Sequence, residues 1–466
     1  MLPSIRSIFR AATAAKPPSR RIMGGISTYP GIVVIALLLS SCSGNSTEKS
    51  VAKDDLPLIT LPTPSPVSDA EFTRIKNACT AWYDSVLRQK GFNGGIIVAK
   101  KGNIVFERYS GTGHLPGTDS INENTPLHIA STSKTFTAMA VLKLWQDGKL
   151  SLDDEYSKYF PAFNYPGVTI RTLLNHRSGL PNYIYFMENL GWDKTRMVMN
   201  KDVLDYLITR KAELENIAPP DTHFSYSNTN YALLALLVEK IVSTKFPEYI
   251  RKIFFKPLQM NNTFIYGPGD SNKVKPSYDW KGRLMSFGFL DDVYGDKNVY
   301  TTPRDLLTWD RALASGIIFT PATLDQAYTP YSNEKPGIKN YGLGWRMNIF
   351  PDGKKIIYHN GWWHGSNATF VRLLQDSATI IVIGNKFTRA IYHAKILANI
   401  FGDYYGAVDE EETDVAKSTD NPDALKTDTM PATLTQLPVK KDSLKKNTAK
   451  ENKLSGQHYA PKNKKQ

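Results

Sequence analysis

The chain has 466 residues, 41% of them hydrophobic and 11% aromatic, enough apolar material for a large core. Its two cysteines, Cys42 and Cys79, exclude a disulfide framework, and its eight histidines show no HExxH or similar ligand spacing, so neither a metal nor another cofactor is expected. The formal charge of +13 includes five basic residues and no acid in the first 41 positions, and no basic helix or aromatic-interleaved patch follows, so no nucleic-acid partner is expected.

In chain order, "RRIMGGISTYPGIVVIALLLSSCS" (20–43) comes first: a basic stretch, then an apolar run at 32–39. That run is too short to span a bilayer but fits the apolar part of a signal peptide over 1–41. Small residues just before Cys42 resemble a bacterial lipobox. That makes Cys42 a lipidation site and places the protein at a bacterial cell envelope, anchored to the membrane and facing the periplasm or the exterior. A plain signal peptide with a chance cysteine is the alternative. Residues 42–68 are polar and Pro-rich and predict a tether. Apolar spacing predicts a helix from 69 to about 88. "NGGIIVAKKGNIVFERYSG" alternates about a Lys-Gly-Asn turn and predicts a hairpin over 94–110. The Ser131 segment reads as helix to Asp147, with Gly148 beyond its end. Helical signals broken by Pro, Gly and Asn fill 151–290. Strand-like segments follow at "YGLGWRMNIF", "KKIIYHNG", "ATFVRLLQDS" and "ATIIVIGNK", then a last helix over 389–401. The pattern predicts an α+β fold: a mixed or antiparallel sheet flanked by helices, with a helical insertion at about 151–290, in one domain spanning 69–405. The tail, 406–466, is charged and poor in aromatics and is expected to be disordered.

Three short stretches carry candidate chemistry. "IASTSKTFTAMA" (129–140) places Lys134 three residues after Ser131, on the same helix face. Four other Ser-x-x-Lys pairs occur, at Ser46, Ser50, Ser332 and Ser443, but only the Ser131 pair opens a long apolar helix. An ordinary helix cap is the bland reading of Ser131; a nucleophile activated by a desolvated lysine is the functional one. "FSYSNTNYALLALLVEKIV" offers Tyr226 as a proton shuttle and Asn228 as a partner for a substrate amide. A rival Tyr-Ser-Asn at Tyr331 is followed by a loop signature. "IIYHNGWWHGSNATF" ends a strand on His359-Asn360-Gly361. There the glycine lets a substrate approach the backbone, and the Trp362 N–H is placed to share an oxyanion hole with that of Ser131.

Ser-x-x-Lys, Tyr-x-Asn and His-x-Gly, in that order and about a hundred residues apart, resemble the serine β-lactamase and penicillin-binding-protein superfamily. The nearer likeness is to the branch of class C β-lactamases, DD-carboxypeptidases, D-aminopeptidases and related esterases. "LLNHRSGLP" (173–181), "GDKNVYTTPRDLL" (295–307) and "YGLGW" (341–345) extend it, over about 69–405. The resemblance implies that Ser131 is acylated, that Lys134 and Tyr226 move protons, and that Asn228, His359, Gly361 and Trp362 bind a small-molecule or peptide substrate. His359 stands where class C β-lactamases have a lysine, which implies weaker capture of a β-lactam carboxylate and a preference for D-peptides, esters or amides. Trp362 is bulkier than the residue usual there. Two other classes of answer are a non-catalytic binder of cell-wall peptide or penicillin and a purely structural lipoprotein. The sequence names neither the substrate nor an oligomeric state.

Overall fold

The computed structural model describes residues 57–404 except 268. The expected signal peptide, Cys42, the first part of the tether and the tail from 406 lie outside the described residues.

Helix α1 (Asp69–Trp82) starts at Ser68, whose side chain accepts the Glu71 N–H at 3.3 Å, and short π and 3-10 turns carry it on to Lys90. The hairpin of β1 (Gly94–Lys100) and β2 (Asn103–Ser110) turns at Lys101 and Gly102, with φ of 53° and 81°. Both lie in the left-handed region that tight hairpins use. After β3 (Leu127–His128), a 3-10 turn (Ala130–Ser133) leads into α2 (Lys134–Gln146). Residues 151–290 hold α3 (Ile170–Leu174), α4 (Tyr183–Asn189), α5 (Asn200–Thr209), α6 (Asn228–Val242) and α7 (Phe246–Ile250). They then turn irregular around three short strands, β4 (Phe264–Ile265), β5 (Ser277–Tyr278) and β6 (Leu284–Met285). β7 (Val299–Thr301), α8 (Pro303–Ala314) and α9 (Pro321–Ala327) follow. The chain closes with β8 (Lys339–Tyr341), β9 (Arg346–Ile349), β10 (Lys355–Trp363), β11 (Ser366–Leu373) and β12 (Ala378–Gly384). The expected last helix runs Arg389–Ile400 but is wound as 3-10 turns.

The main sheet has seven strands in the order β2-β1-β12-β11-β10-β9-β8, every pair antiparallel. Period-two alternation divides its side chains between two cores. Ile97, Ala99, Phe370, Ile381 and Ile383 face α2, α6 and α8, whereas Ile96, Val98, Val371, Ile380 and Val382 face α1 and the closing helix. The sheet is thus covered on both faces, and α2 is largely buried within the larger core. Phe136, on the first turn of α2, stacks on Trp309 at 4.8 Å and meets Phe255 edge-on at 5.4 Å. Such pairs add roughly 0.5–1.5 kcal/mol each beyond their buried area, so the helix that carries Lys134 is held rigidly.

Within the described part of the expected tether, residues 57–68 form a strap on the domain. Pro257 O accepts from Ile59 N–H at 2.8 Å, Pro62 O from Arg311 at 2.8 Å and Ser65 O from Asn103 at 2.5 Å. Proline-rich extended backbone keeps its carbonyls outward, and basic or amide side chains of the domain bond them.

Candidate active site

The chain approaches Ser131 through a strained residue: Ala130 has φ +46°, where a Cβ is disfavoured. Neighbours hold the turn. Ile129 N–H donates to Val299 O at 3.0 Å, and Val299 N–H donates to Ser133 Oγ at 3.0 Å. Ala130, Thr132 and Ser133 are buried, while Ser131 is partly exposed. Neither the 3-10 turn nor α2 has a side-chain cap, so Ser131 is not a helix cap, and its hydroxyl faces Lys134 instead.

Lys134 is fully buried, with Nζ 3.1 Å from Ser131 Oγ, 2.7 Å from Asn228 Oδ1 and 2.8 Å from the Asp296 carbonyl oxygen. All three partners are uncharged. Burial pulls its pKa down to about 7; the Asp296 carboxylate opposes this and the Arg346 charge adds to it. A neutral amine has two N–H donors and one lone pair. Asn228 Oδ1 and Asp296 O take the two protons, and the lone pair is left for the Ser131 hydroxyl.

Tyr226 lies across from this group. Its ring centroid is 5.0 Å from Lys134 Nζ, 4.3 Å from the His176 ring and 5.2 Å from the Arg346 guanidinium carbon. His176 is buried and accepts the Ser227 N–H on Nδ1 at 3.2 Å, which fixes the backbone beside Tyr226. Burial, with the Lys134 charge next, keeps that imidazole neutral.

Strand β10 supplies the opposite wall. β9 pairs with β10 only as far as Tyr358↔Arg346; beyond that register the nucleophile turn packs against the strand. Thr132 Oγ1 donates to His359 O at 3.4 Å, and a Cβ on Gly361 would sit 2.0 Å from Ile129 O. Gly361 therefore permits strand and nucleophile turn to touch. The His359 ring is fully buried: Nδ1–H donates to Asn360 O at 2.7 Å, and Nε2 accepts the Tyr341 hydroxyl at 3.2 Å. Burial first, then the charges of Arg346 and Lys134, hold it neutral. Both ring nitrogens are occupied, and the ring lies 6.1 Å from that of Tyr341 and 6.4 Å from that of Tyr226. Trp362 is partly exposed, donates its indole N–H to His364 O at 2.8 Å and packs against Phe387.

Of the residues the sequence singled out, Ser131, Tyr226 and Asn228 gather around Lys134, and the backbones of His359 and Gly361 lie against the nucleophile turn, while the Trp362 ring packs on Phe387. Cys42 lies outside the described residues. The rival Tyr331 sits in a loop, where its hydroxyl accepts from Arg171 at 3.1 Å. Sequence reasoning assigned no role to His176, Asp296, Tyr341 or Arg346. The signal was present for the first three, which fall inside "LLNHRSGLP", "GDKNVYTTPRDLL" and "YGLGW". Arg346 immediately follows the last of these stretches.

A family model described as Beta-lactamase matches residues 80–400. Among curated proteins, a penicillin-binding protein of Bacillus subtilis (strain 168) is 29% identical over 336 residues, 68% of this chain and 73% of that one. Protein flp of Staphylococcus aureus (strain N315) is 26% identical over 336 residues, 67% of this chain and 64% of that one, so the chain spans slightly under two thirds of that relative. Among solved structures, a penicillin binding protein from Bacillus halodurans matches with a TM-score of 0.58 at 24% identity, covering 66% of this chain and 95% of that one. D-amino acid amidase from Ochrobactrum anthropi SV3 matches with a TM-score of 0.57 at 19% identity, covering 70% and 98%. At these identities the two structures speak for the fold.

Proposed function

This chain belongs to the β-lactamase family of serine hydrolases, and from that premise we propose that it cleaves a D-amino-acid peptide, amide or ester through an acyl-enzyme on Ser131. The reading is carried by one observation: a buried amine, with two neutral acceptors for its protons, lies 3.1 Å from a partly exposed serine hydroxyl. In its neutral form Lys134 takes the Ser131 proton as Oγ bonds to the substrate carbonyl carbon. Backbone N–H groups of Ser131 and Trp362 receive the oxyanion. The proton passes by way of Lys134 and Tyr226 to the leaving nitrogen or oxygen, whose bond to the carbonyl carbon breaks. A water then attacks the ester, and its proton returns to Ser131. Asn228 holds Lys134 on one side and borders the substrate on the other. A neutral His359 favours substrates without the obligatory carboxylate of a β-lactam, in keeping with the name of the D-amino acid amidase neighbour. We further propose that Cys42 is lipidated and anchors the domain at the cell envelope, a reading supported by the small residues before it and the apolar run at 32–39.

The test is covalent labelling with a fluorescent fluorophosphonate, followed by hydrolysis of D-peptides, short-chain esters and nitrocefin. Labelling should vanish in Ser131→Ala and persist in Ser332→Ala; undiminished labelling of Ser131→Ala would sink the mechanism. Nitrocefin turning over faster than every ester and D-peptide would reverse the substrate preference. Loss of lipid labelling in Cys42→Ala is expected, and equal membrane retention of both proteins would count against the anchor.

A further inference from the structure

The His-x-Gly strand leaves the site without a charge that the family resemblance places there, since His359 is buried and both of its ring nitrogens are occupied. We propose that Arg346 is the positioning cation of this site: from β9 its guanidinium lies against the Tyr226 ring and supplies the fixed positive charge that His359, on β10, does not. The inference rests on the acyl-enzyme reading above.

Geometry carries it. The Tyr226 ring has two cationic groups over it, Lys134 Nζ at 5.0 Å and the Arg346 guanidinium carbon at 5.2 Å. Arg346 is placed by backbone pairing on both sides, opposite Tyr358 of β10 and Tyr341 of β8. β9 is the next strand over from the His-x-Gly strand in the same sheet.

The other groups facing Lys134 and Tyr226 do not replace it. His176 and His359 are held neutral by burial. Burial likewise keeps the Tyr231 and Tyr341 phenols protonated. Asp296 acts in the opposite sense and favours a protonated Lys134. Lys297 is buried, with its pKa lowered by that burial and raised again by Asp296 and Asp291. A guanidinium, by contrast, stays charged at every working pH. Near Lys134 it disfavours the ammonium. That pushes the amine toward the form that accepts the Ser131 proton.

The experiment is the pH dependence of the fluorophosphonate labelling rate in the full chain, for wild type, Arg346→Gln, Arg346→Lys and Ser131→Ala. The wild-type rate should rise with pH through an acid limb near 7. Removing the cation should move that limb up by roughly 0.5–1 unit, the size of one charge about 10 Å away at an intermediate dielectric. Arg346→Lys should restore it. Where Arg346→Gln does not fold, Arg346→Met takes its place. A limb that stays put in the uncharged variant overturns the inference, as does an equal shift in Arg346→Lys. It is also overturned if the uncharged variant raises only the KM for peptides with a C-terminal carboxylate and leaves the limb for a neutral ester unmoved. Arg346 would then be a substrate clamp. Ser131-independent labelling would instead defeat the acyl-enzyme reading itself, so the two failures are distinguishable.

Discussion

Two buried cations sit on opposite faces of one chemical choice. Arg372 on β11 and Lys134 on α2 are both almost completely removed from solvent. Arg372 meets a carboxylate: Nε lies 2.5 Å from Asp310 Oδ1, a second guanidinium nitrogen donates to the Tyr328 hydroxyl, and Thr379 donates to the other Asp310 oxygen at 2.6 Å. Lys134 bonds a hydroxyl, an amide oxygen and a backbone carbonyl. Burial lowers the pKa of both. At Arg372 the Tyr328 oxygen and the Asp310 carboxylate outweigh it and the group stays charged, while at Lys134 burial wins and the amine titrates near 7. Burial alone does not decide whether a cation is structural or chemical. The charge of its hydrogen-bond partners does.

The sharpest way to break this contrast is to remove each cation's function in turn. Lys134→Met should cut labelling and turnover per folded molecule by about 10²–10⁴-fold, the usual worth of a general base. Wild-type turnover in that variant would mean the amine is a bystander. The wild-type rate should also fall about tenfold per pH unit below 7, since protonation removes the lone pair that Ser131 needs, whereas the Arg372 guanidinium stays charged throughout.

The opposite end should respond in stability. Asp310→Ala leaves the Arg372 guanidinium buried without its carboxylate, which costs about 3–5 kcal/mol. Calorimetry should show the loss, while the labelling rate per folded molecule at Ser131 stays near wild type. A catalytic defect in folded Asp310→Ala would show that the two ends of the sheet are coupled.

A smaller effect is expected at Gly361. An alanine Cβ there would need Ile129 O, 2.0 Å away, to retreat, and that carbonyl belongs to the residue that opens the nucleophile turn. Overpacking of this kind costs roughly 1–3 kcal/mol. The loss should appear in kcat more than in KM, because Ser131 moves relative to the oxyanion donors. An unaltered kcat would mean that the strand and the turn are not in the close contact described.

These residues also mark what a linear reading can reach. The sheet was legible because β1, β2 and β10–β12 alternate cleanly or are continuously apolar, and the Ser131 locus because each of its motifs is local, within three residues. The strap at 57–68 was not: proline-rich segments show no apolar period whether they dangle or lie on a surface, and the carbonyl acceptors that pin this one carry no side-chain signal. Arg346 was hidden for a related reason. Its position over Tyr226 depends on strand order, with β9 beside β10, and a sequence does not print strand order. His359 was read as a substrate-facing group because its motif position is local, while its ring is buried and bonded to Tyr341, eighteen residues away.

The strap supplies the smallest and most discriminating variant. It crosses the Arg372 end of the sheet, where a cavity of about 480 Å³ opens between residues 62–65 and the neighbouring Asp310, Arg311 and Arg372. Ile59 and Leu61 pack the strap against the larger core, and further along one hydrogen bond runs from Arg311 to Pro62 O at 2.8 Å. A single such bond near solvent contributes about 0.5–1.5 kcal/mol. Arg311→Ala should therefore lower the melting temperature by roughly 1–3 °C, speed proteolytic cleavage within 57–68 severalfold, and leave both the Ser131 labelling rate and its pH limb untouched. A change in that limb would mean that the charge at position 311 reaches Lys134 across the sheet. The division between an end where a carboxylate bonds the buried cation and an end where only uncharged groups bond the buried amine would then fail at its weakest point.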